Sequence, residues 1–156
     1  DIGIIVISHA HGDHTGGLSA ILKENETAEL YIPSSFHLSA TGRKVTIVKD
    51  AIQICQDVFS TGELGGVEQS LALKTGKGIF VVVGCSHPGV VDILRTASKF
   101  GKPYGIAGGF HGSRDFKAFD KLSLIYPCHC TQYKNEILNS FKDKAFKCGA
   151  GLEIEL

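Results

Sequence analysis

The chain has 156 residues, a normal length for one domain, and 43% of them are hydrophobic, which is enough apolar material for a core. Sixteen Lys and Arg balance sixteen Asp and Glu, and this neutrality argues against a nucleic-acid partner and against a polybasic membrane anchor. The longest apolar runs, at residues 4–7 and 79–83, are far too short to span a bilayer. We therefore expect a single domain over residues 1–156 that acts away from membranes.

Cysteine content points to an intracellular protein. An odd number of cysteines without the tight spacing of a disulfide framework favours reduced thiols and a cytoplasmic location; the five are Cys55, Cys85, Cys128, Cys130 and Cys148. The chain contains no methionine and opens on a run typical of the middle of a fold. We expect it to be a fragment or an incomplete chain.

The first half of the chain predicts mainly strands. The β-branched run "IGIIVIS" predicts a buried strand, and after a histidine-rich loop the stretch "GGLSAILKEN" has apolar residues at helical spacing. "ELYIP" and "KVTIVKD" each predict a strand, and "AIQICQDVF" predicts one further strand. A glycine-rich connection, "STGELGG", follows.

The second half predicts strands that alternate with helices. "SLALKTGKGIFVVVG" predicts a hairpin that turns at "TGKG". Helical periodicity runs over residues 89–100, with Pro88 suited to the first helical position and Gly101 to the stop. "KPYGIAGGFH" and "SLIYPCHC" predict strands, whereas "DFKAFDKL" and "NEILNSFKDK" predict helices. This order predicts an α/β layered domain in which the histidine-bearing loops of the second half each follow a strand.

The stretch "HAHGDH" places three histidines and an aspartate within six positions, between a strand and a helix. His9 and His11 are two residues apart, so an extended backbone directs both imidazoles to one side. Asp13 and His14 come just past the bend and can face a second ion. Nitrogen and carboxylate ligands together favour two divalent transition metals, with zinc as the expected ion and manganese or iron as the alternatives.

Four ligands cannot complete two metal sites, so others must come from later in the chain. His87, His111 and His129 each follow an apolar run and fall in a turn-prone loop, where the edge of a sheet would bring them together. We predict that His87 and His129 are ligands, and His111 is either a ligand or a substrate contact. His37 lacks this setting and is expected to be structural or a surface residue.

The cysteines offer a less favoured set of ligands. Cys85 could bind metal as a thiolate, but a buried structural role is commoner for a free cysteine. Cys128 and Cys130, together with Cys148, suggest a structural zinc site. We reject that interpretation because C-x-C is tighter than the usual zinc spacing and no second pair exists.

The motif H-x-H-x-D-H, followed by "GGL", resembles the signature of the metallo-β-lactamase superfamily. Together "GCSHPGVVDIL", "GGFH" and "PCHCT" resemble its branch of metal-dependent hydrolases that includes the archaeal synthase joining dihydropterin pyrophosphate to ribofuranosylaminobenzene phosphate. The resemblance implies a four-layer αβ/βα sandwich with the metals at one edge, here without the N-terminal strands that relatives carry. It also implies that His129 is the late ligand and that Cys85 stands at the position of a bridging aspartate.

The resemblance implies catalysis by metal-activated water, with Asp13 positioning that water, or transfer in which the metals hold a pyrophosphate leaving group. The expected substrate is a small phosphate-bearing molecule. Arg114, three residues past His111, suits phosphate recognition, and Lys74, Lys77 and Lys134 are weaker candidates. The alternatives are a flavin-linked di-iron oxidoreductase domain, which would carry an acidic bridging residue, and a non-catalytic metal-binding module.

Overall fold

A computed structural model describes residues 2–38 and 42–156 of the chain. Over these residues the strands form two sheets. The first is a three-stranded parallel sheet in the order β1-β2-β3, made of β1 (Ile4–Val6), β2 (Glu29–Pro33) and β3 (Val45–Val48). The second has six strands that neighbour one another in chain order: β4 (Ile52–Cys55), β5 (Val58–Ser60), β6 (Leu71–Thr75), β7 (Gly78–Val82), β8 (Pro103–Gly108) and β9 (Leu124–Pro127).

The first sheet is a β-α-β unit with an added strand. The chain leaves β1, forms the one-turn helix α1 (Gly12–Thr15) and the longer helix α2 (Leu18–Glu24), and returns in β2 parallel to β1. Leu18 and Leu22 of α2 are buried against Leu30 and Ile32 of β2. The predicted strand and helix are confirmed, but the histidine-rich loop also contains α1, which the sequence analysis did not predict.

The second sheet is antiparallel from β4 to β7 and parallel from β7 to β9. The predicted hairpin is confirmed, because β6 pairs with β7 from Leu71–Val82 to Thr75–Gly78. The prediction of one strand in "AIQICQDVF" is wrong, since β4 and β5 form a second hairpin. Its turn contains Asp57 at φ 59, a left-handed conformation that aspartate tolerates in turns.

Helices cover one face of the six-stranded sheet. They are α3 (Val90–Ala97), a 3-10 helix (Phe116–Phe119) and α4 (Lys134–Ser140). Ile93 and Ile137 of these helices are fully buried in one cluster with Ile106 and Ile125 of the sheet, and burial of each such side chain stabilises the fold by about 1.5–3 kcal/mol. The helix predictions are confirmed, although α3 begins after Gly89, so Pro88 lies before its first residue.

Four strand ends determine where the histidines lie. His9 follows β1, His87 follows β7, His111 follows β8 and His129 follows β9. Because β7, β8 and β9 are parallel, their carboxyl ends meet at one edge, and the end of β1 approaches that edge from the other sheet. In the part of the chain that the structure describes, every helix is too short or too polar to cross a membrane.

Candidate metal centre

The loop after β1 carries three imidazoles, two of which surround the buried third. His9 is fully buried, and its ring centroid lies 4.7 Å from that of His11 and 4.2 Å from that of His14. The one-turn helix α1 carries Asp13 and His14, so that Asp13 Oδ2 lies 3.5 Å from His14 Nε2. The spacing of the motif therefore brings all four side chains into one cluster.

The second sheet adds three histidines to this cluster. The ring centroid of His87 lies 4.9 Å from that of His9 and 4.8 Å from that of His11. His129 lies 5.2 Å from His14 between ring centroids, and its Nε2 lies 3.6 Å from Asp13 Oδ2. The ring of His111 lies 4.9 Å from that of His87, on the outer side of the cluster.

Two groups of metal-competent atoms share one member. In the first, ligand atoms of His9, Cys85 and His87 lie within 4.8 Å of one another, and in the second those of Asp13, His14, Cys85 and His129 do so. The shared residue is Cys85, whose Sγ lies 3.2 Å from His14 Nε2. The arrangement has the form of two adjacent sites with a sulfur between them.

Two buried nitrogens indicate that the cluster fits metal ions. His9 Nε2 and His87 Nε2 are buried and have no hydrogen-bond partner among the described residues, although a buried polar atom without a partner is costly. His9 Nδ1 lies 3.1 Å from Ser8 Oγ, and a proton on that nitrogen would leave the Nε2 lone pair free for metal. Both nitrogens belong to histidines of the group that comprises His9, Cys85 and His87.

The electrostatics of the histidines favour neutral ligands. Burial lowers the pKa of His9 to about 4, and the neighbouring imidazoles of His14, His87 and His11 add to this effect while the carboxylate of Glu68 opposes it. Burial also lowers the pKa of His87. At neutral pH both imidazoles can therefore donate a nitrogen lone pair without first losing a proton.

The pKa values of Asp13 and Cys85, the two acidic members of the cluster, are shifted in opposite directions. Desolvation pushes the pKa of Asp13 upward, but its backbone hydrogen bond and the nearby His14 and His129 hold it below its usual value. Burial raises the pKa of the Cys85 thiol to about 12, and the neighbouring Cys130 thiol adds to the shift. Asp13 is thus an anion in the metal-free protein, whereas Cys85 must lose its proton to bind.

The loop after β8 carries His111 and Arg114 and contacts the segment after β9. His111 has φ 43, a strained left-handed conformation. Its carbonyl oxygen accepts a hydrogen bond of 2.8 Å from the backbone N–H of Gln132. The guanidinium of Arg114 stacks over the ring of Tyr133 at 4.6 Å from the centroid. Tyr133, which the sequence analysis did not single out, therefore holds the Arg114 side chain.

Three lysines considered from the sequence lie elsewhere or have other contacts. Lys74 and Lys77 belong to the hairpin between β6 and β7, at the opposite end of β7 from His87, so the suggestion that they supplement the site is wrong. Lys134 Nζ donates to the Cys148 carbonyl oxygen at 3.3 Å. Their place beside the start of β7, which a sequence motif does not reveal, separates Lys74 and Lys77 from the centre.

The remaining candidates from the sequence lie outside the two ligand groups. His37 is exposed on the surface. Cys128 and Cys148 belong to neither group among the described residues; burial raises the pKa of Cys128 to about 12, with the Cys148 thiol contributing. His11 touches the rings of His9 and His87 but is exposed and stands outside both groups.

A cleft adjoins the centre. It has a volume of about 400 Å³ and runs between the carboxyl end of β1 and those of β7, β8 and β9. His14 and His129 line one side, and the apolar side chains of Val6, Val82 and Val83 line another. The cleft joins the charged cluster to an apolar surface.

Comparisons with known proteins agree with this geometry. Residues 1–92 match the model of the metallo-beta-lactamase superfamily, and the chain belongs to that superfamily. It is 29% identical over 217 residues to 7,8-dihydropterin-6-methyl-4-(beta-D-ribofuranosyl)-aminobenzene-5'-phosphate synthase of Methanocaldococcus jannaschii, with 96% of this chain and 74% of the synthase covered. It is also 24% identical over 179 residues to an uncharacterised protein of the same archaeon, with 83% of this chain and 69% of that protein covered.

A solved structure shows the same fold. The crystal structure of a metal-dependent hydrolase of the beta-lactamase superfamily matches with a TM-score of 0.77, at 24% identity, over 97% of this chain and 78% of the other. The predicted resemblance and the predicted fold are confirmed. The chain has the fold of a metal-dependent enzyme superfamily, and its candidate ligands lie together at one edge of that fold.

Proposed function

We propose that the protein is an enzyme with a centre of two divalent transition metals that acts on a small phosphate-bearing molecule. The observation that carries the proposal is the pair of ligand groups that share Cys85, with two buried nitrogens that have no hydrogen-bond partner within residues 2–38 and 42–156. A donor set of imidazole, thiolate and carboxylate favours zinc over manganese, because thiolate is a soft ligand. Iron is the alternative that the same donors accept.

In this proposal His9, His87 and Cys85 would hold the first ion, and Asp13, His14, His129 and Cys85 would hold the second, with His11 beside the first group. Bound metal would supply Lewis acidity that lowers the pKa of a water molecule toward neutrality and polarises a phosphoryl oxygen. Asp13, whose pKa lies below its usual value, accepts a hydrogen bond from the attacking water and orients it. The buried side chains of His9 and Cys85 exclude other water from the inner side.

Substrate binding in the proposal depends on the loop after β8. Arg114, held over Tyr133, offers a planar pair of N–H donors that matches two phosphate oxygens. His111, beside His87, contacts the same group. The cleft of about 400 Å³ has a volume typical of small-molecule sites, which supports a small substrate over a polymer. Neutral overall charge also argues that phosphate is recognised locally.

Two reactions are compatible with this site. The first is hydrolysis of a phosphoric ester by the oriented water. The second is transfer in which an attacking group displaces pyrophosphate, and the similarity to the pterin-related synthase is the specific observation that favours it. Product analysis separates them, because hydrolysis consumes water whereas transfer joins two organic substrates. The cytoplasmic location stays a prediction that rests on the free cysteines.

The substrate proposal is tested with Arg114→Ala and a matched control, Arg95→Ala. Arg95 is an exposed arginine of α3 that pairs with Asp92 at 2.8 Å. Loss of a charge-assisted hydrogen bond should raise KM for phosphorylated substrates by about 10- to 100-fold, while uncharged esters and the control variant show no such change. Good turnover of β-lactams or thioesters, with phosphate and pyrophosphate compounds untouched, would contradict the proposal. Metal binding without turnover of any tested class would favour a non-catalytic module.

A further inference from the structure

Glu68 is a fully buried carboxylate that accepts hydrogen bonds from four consecutive backbone amides. It lies between β5 and β6 and is 0% exposed. Its Oε1 accepts from the N–H groups of Gly84, Cys85 and Ser86, each at 3.0 Å. Its Oε2 accepts from the N–H of His87 at 3.0 Å. The carboxylate therefore holds the backbone of the whole loop that carries Cys85 and His87.

The backbone of that loop is shaped to receive an anion. Ser86 has φ 60, and a left-handed residue within a loop can turn successive N–H groups toward one point, which creates an anion-binding concavity. Burial of a carboxylate is costly unless it is hydrogen-bonded, and four N–H donors provide charge-assisted bonds. The strained Ser86 and the buried Glu68 thus stabilise each other.

Gln69, the next residue, forms hydrogen bonds to the segment that precedes His9 in the other ligand-bearing loop. The Gln69 amide N–H donates to the Ser8 carbonyl oxygen at 2.9 Å, and its side-chain Nε2 donates to the carbonyl oxygens of Ile7 at 2.9 Å and Tyr31 at 3.2 Å. Its Oε1 accepts from Ser60 Oγ at 2.6 Å. Gln69, which is 1% exposed, therefore ties the end of β1 to the second sheet immediately before His9.

The two loops pack directly against each other at Gly84. A Cβ atom at that position would lie 2.6 Å from Ser8 Oγ and 3.0 Å from Glu68 Oε1, and the first distance is too short for a contact between a carbon and an oxygen atom. A larger residue would therefore push apart the segment before His9 and the segment before Cys85. Neighbouring residues of one short segment thus hold two loops from different sheets in contact.

We propose that Glu68 and Gln69 are positioning residues that set the distance between the two halves of the metal centre. The inference rests on the proposed metal centre and assigns neither residue a contact with metal or substrate. Their hydrogen bonds order the backbone of Cys85, His87 and His9 before metal arrives. Ligands that are held in place by supporting hydrogen bonds bind metal more tightly, because less conformational entropy is lost on binding.

Glu68→Gln tests the proposal, with Glu63→Gln as the matched control. Glu63 also uses a carboxylate to accept backbone N–H groups, from Ser34 at 3.0 Å and Ser35 at 2.9 Å, away from the ligand loops. An amide in place of the Glu68 carboxylate removes the charge and turns one acceptor into a donor, which leaves at least one amide of the loop without a partner. Zn²⁺ affinity should fall by about 10- to 100-fold in Glu68→Gln and stay at the wild-type value in Glu63→Gln.

Cobalt substitution provides a spectroscopic readout that loss of stability alone would not change. In folded Glu68→Gln saturated with Co²⁺, the thiolate-to-cobalt absorption should be shifted or weakened, because the Cys85 backbone is no longer held. An unchanged Zn²⁺ affinity together with an unchanged cobalt spectrum would overturn the proposal. Wild-type protein that binds neither ion would instead contradict the proposed function.

Hydrogen exchange in the metal-free wild-type protein tests the proposal without any variant. If Glu68 orders the loop in advance, the amides of residues 84–87 should be protected from exchange without metal and gain little protection when Zn²⁺ is added. Fast exchange without metal and slow exchange with it would mean that metal orders the loop, and the proposal would be wrong. This measurement also decides the matter if Glu68→Gln does not fold.

Discussion

Cys85 should make metal binding depend on pH in a window where histidines do not. Burial and the neighbouring Cys130 thiol raise the pKa of Cys85 to about 12, so the thiol is protonated in the metal-free protein at any pH below that value. Binding as a thiolate then releases one proton. Histidines release none above about pH 7.5, since imidazole is neutral there. The thiol should therefore contribute about one unit to the slope of the logarithm of the metal association constant against pH.

Replacement of Cys85 by serine should remove that contribution. Between about pH 7.5 and about pH 9, wild-type affinity should rise about 30-fold more than that of Cys85→Ser, which is one factor of ten per pH unit. A proton lost from coordinated water is common to both proteins and cancels in the comparison. The assay is chelator competition with Zn²⁺ at several pH values. Cys130→Ser is the control, because Cys130 belongs to neither ligand group among the described residues and its loss should leave the slope intact.

Equal slopes for the wild type and Cys85→Ser would refute the reasoning. That result would mean that Cys85 remains a protonated, structural residue, as its type alone suggests. A lower slope in Cys130→Ser with an unchanged one in Cys85→Ser would also refute it, because the released proton would then belong to the other thiol. The Cys130 thiol is a neighbour of the Cys85 thiol, so only the variants assign the released proton.

Two further predictions concern the histidines. His129→Ala should lower metal affinity by at least about 10- to 100-fold, while His37→Ala, an exposed histidine, should leave it unchanged; equal affinities would remove His129 from the centre. In the metal-free protein, burial keeps the pKa of His9 at about 4, against about 6.5 in the unfolded chain. The contribution of neutral His9 to the free energy of unfolding is therefore fully present above about pH 6.5. It is lost as pH falls toward 4, by up to about 3 kcal/mol. Urea unfolding at several pH values should show this loss in the wild type and a smaller loss in His9→Gln. An equal loss in the two proteins would mean that His9 is not the group responsible.

Most members of the two ligand groups give local signals in the sequence, and His11, which shares the motif, stands outside both groups. His9, His11, Asp13 and His14 lie within six positions, and His87 and His129 each follow a recognisable strand. Parallel strands align their carboxyl ends, so the pattern of strand and loop was sufficient to place the later histidines beside the first loop. Periodicity also predicted the hairpin of β6 and β7, but it could not reveal the turn within "AIQICQDVF", where a single aspartate adopts a left-handed conformation.

Other parts of the centre depend on contacts between distant segments. Gln69 bonds to Ile7, 62 residues earlier, and Glu68 bonds to amides 16 to 19 residues later, and neither pattern leaves a periodic trace in the sequence. Cys85 was assigned the commoner role of a buried thiol because its place between two ligand groups exists only after both sheets pack. The sequence does show an acidic and an amide residue, Glu68 and Gln69, after a glycine-rich stretch. This pair predicts no particular role until the pairing of the strands is known.

The division of the ligands between two sheets links the chemistry of the site to the stability of the fold. His9, Asp13 and His14 belong to the segment after β1 of the first sheet, whereas Cys85, His87 and His129 belong to the second. Each ligand group therefore contains residues from both sheets, and a bound ion would join them. Free energy of metal binding is then also free energy of sheet association. Because Gln69 and Glu68 already connect the same two segments through buried hydrogen bonds, the sheets do not depend on metal alone for their alignment, and binding energy is available to orient ligands and substrate.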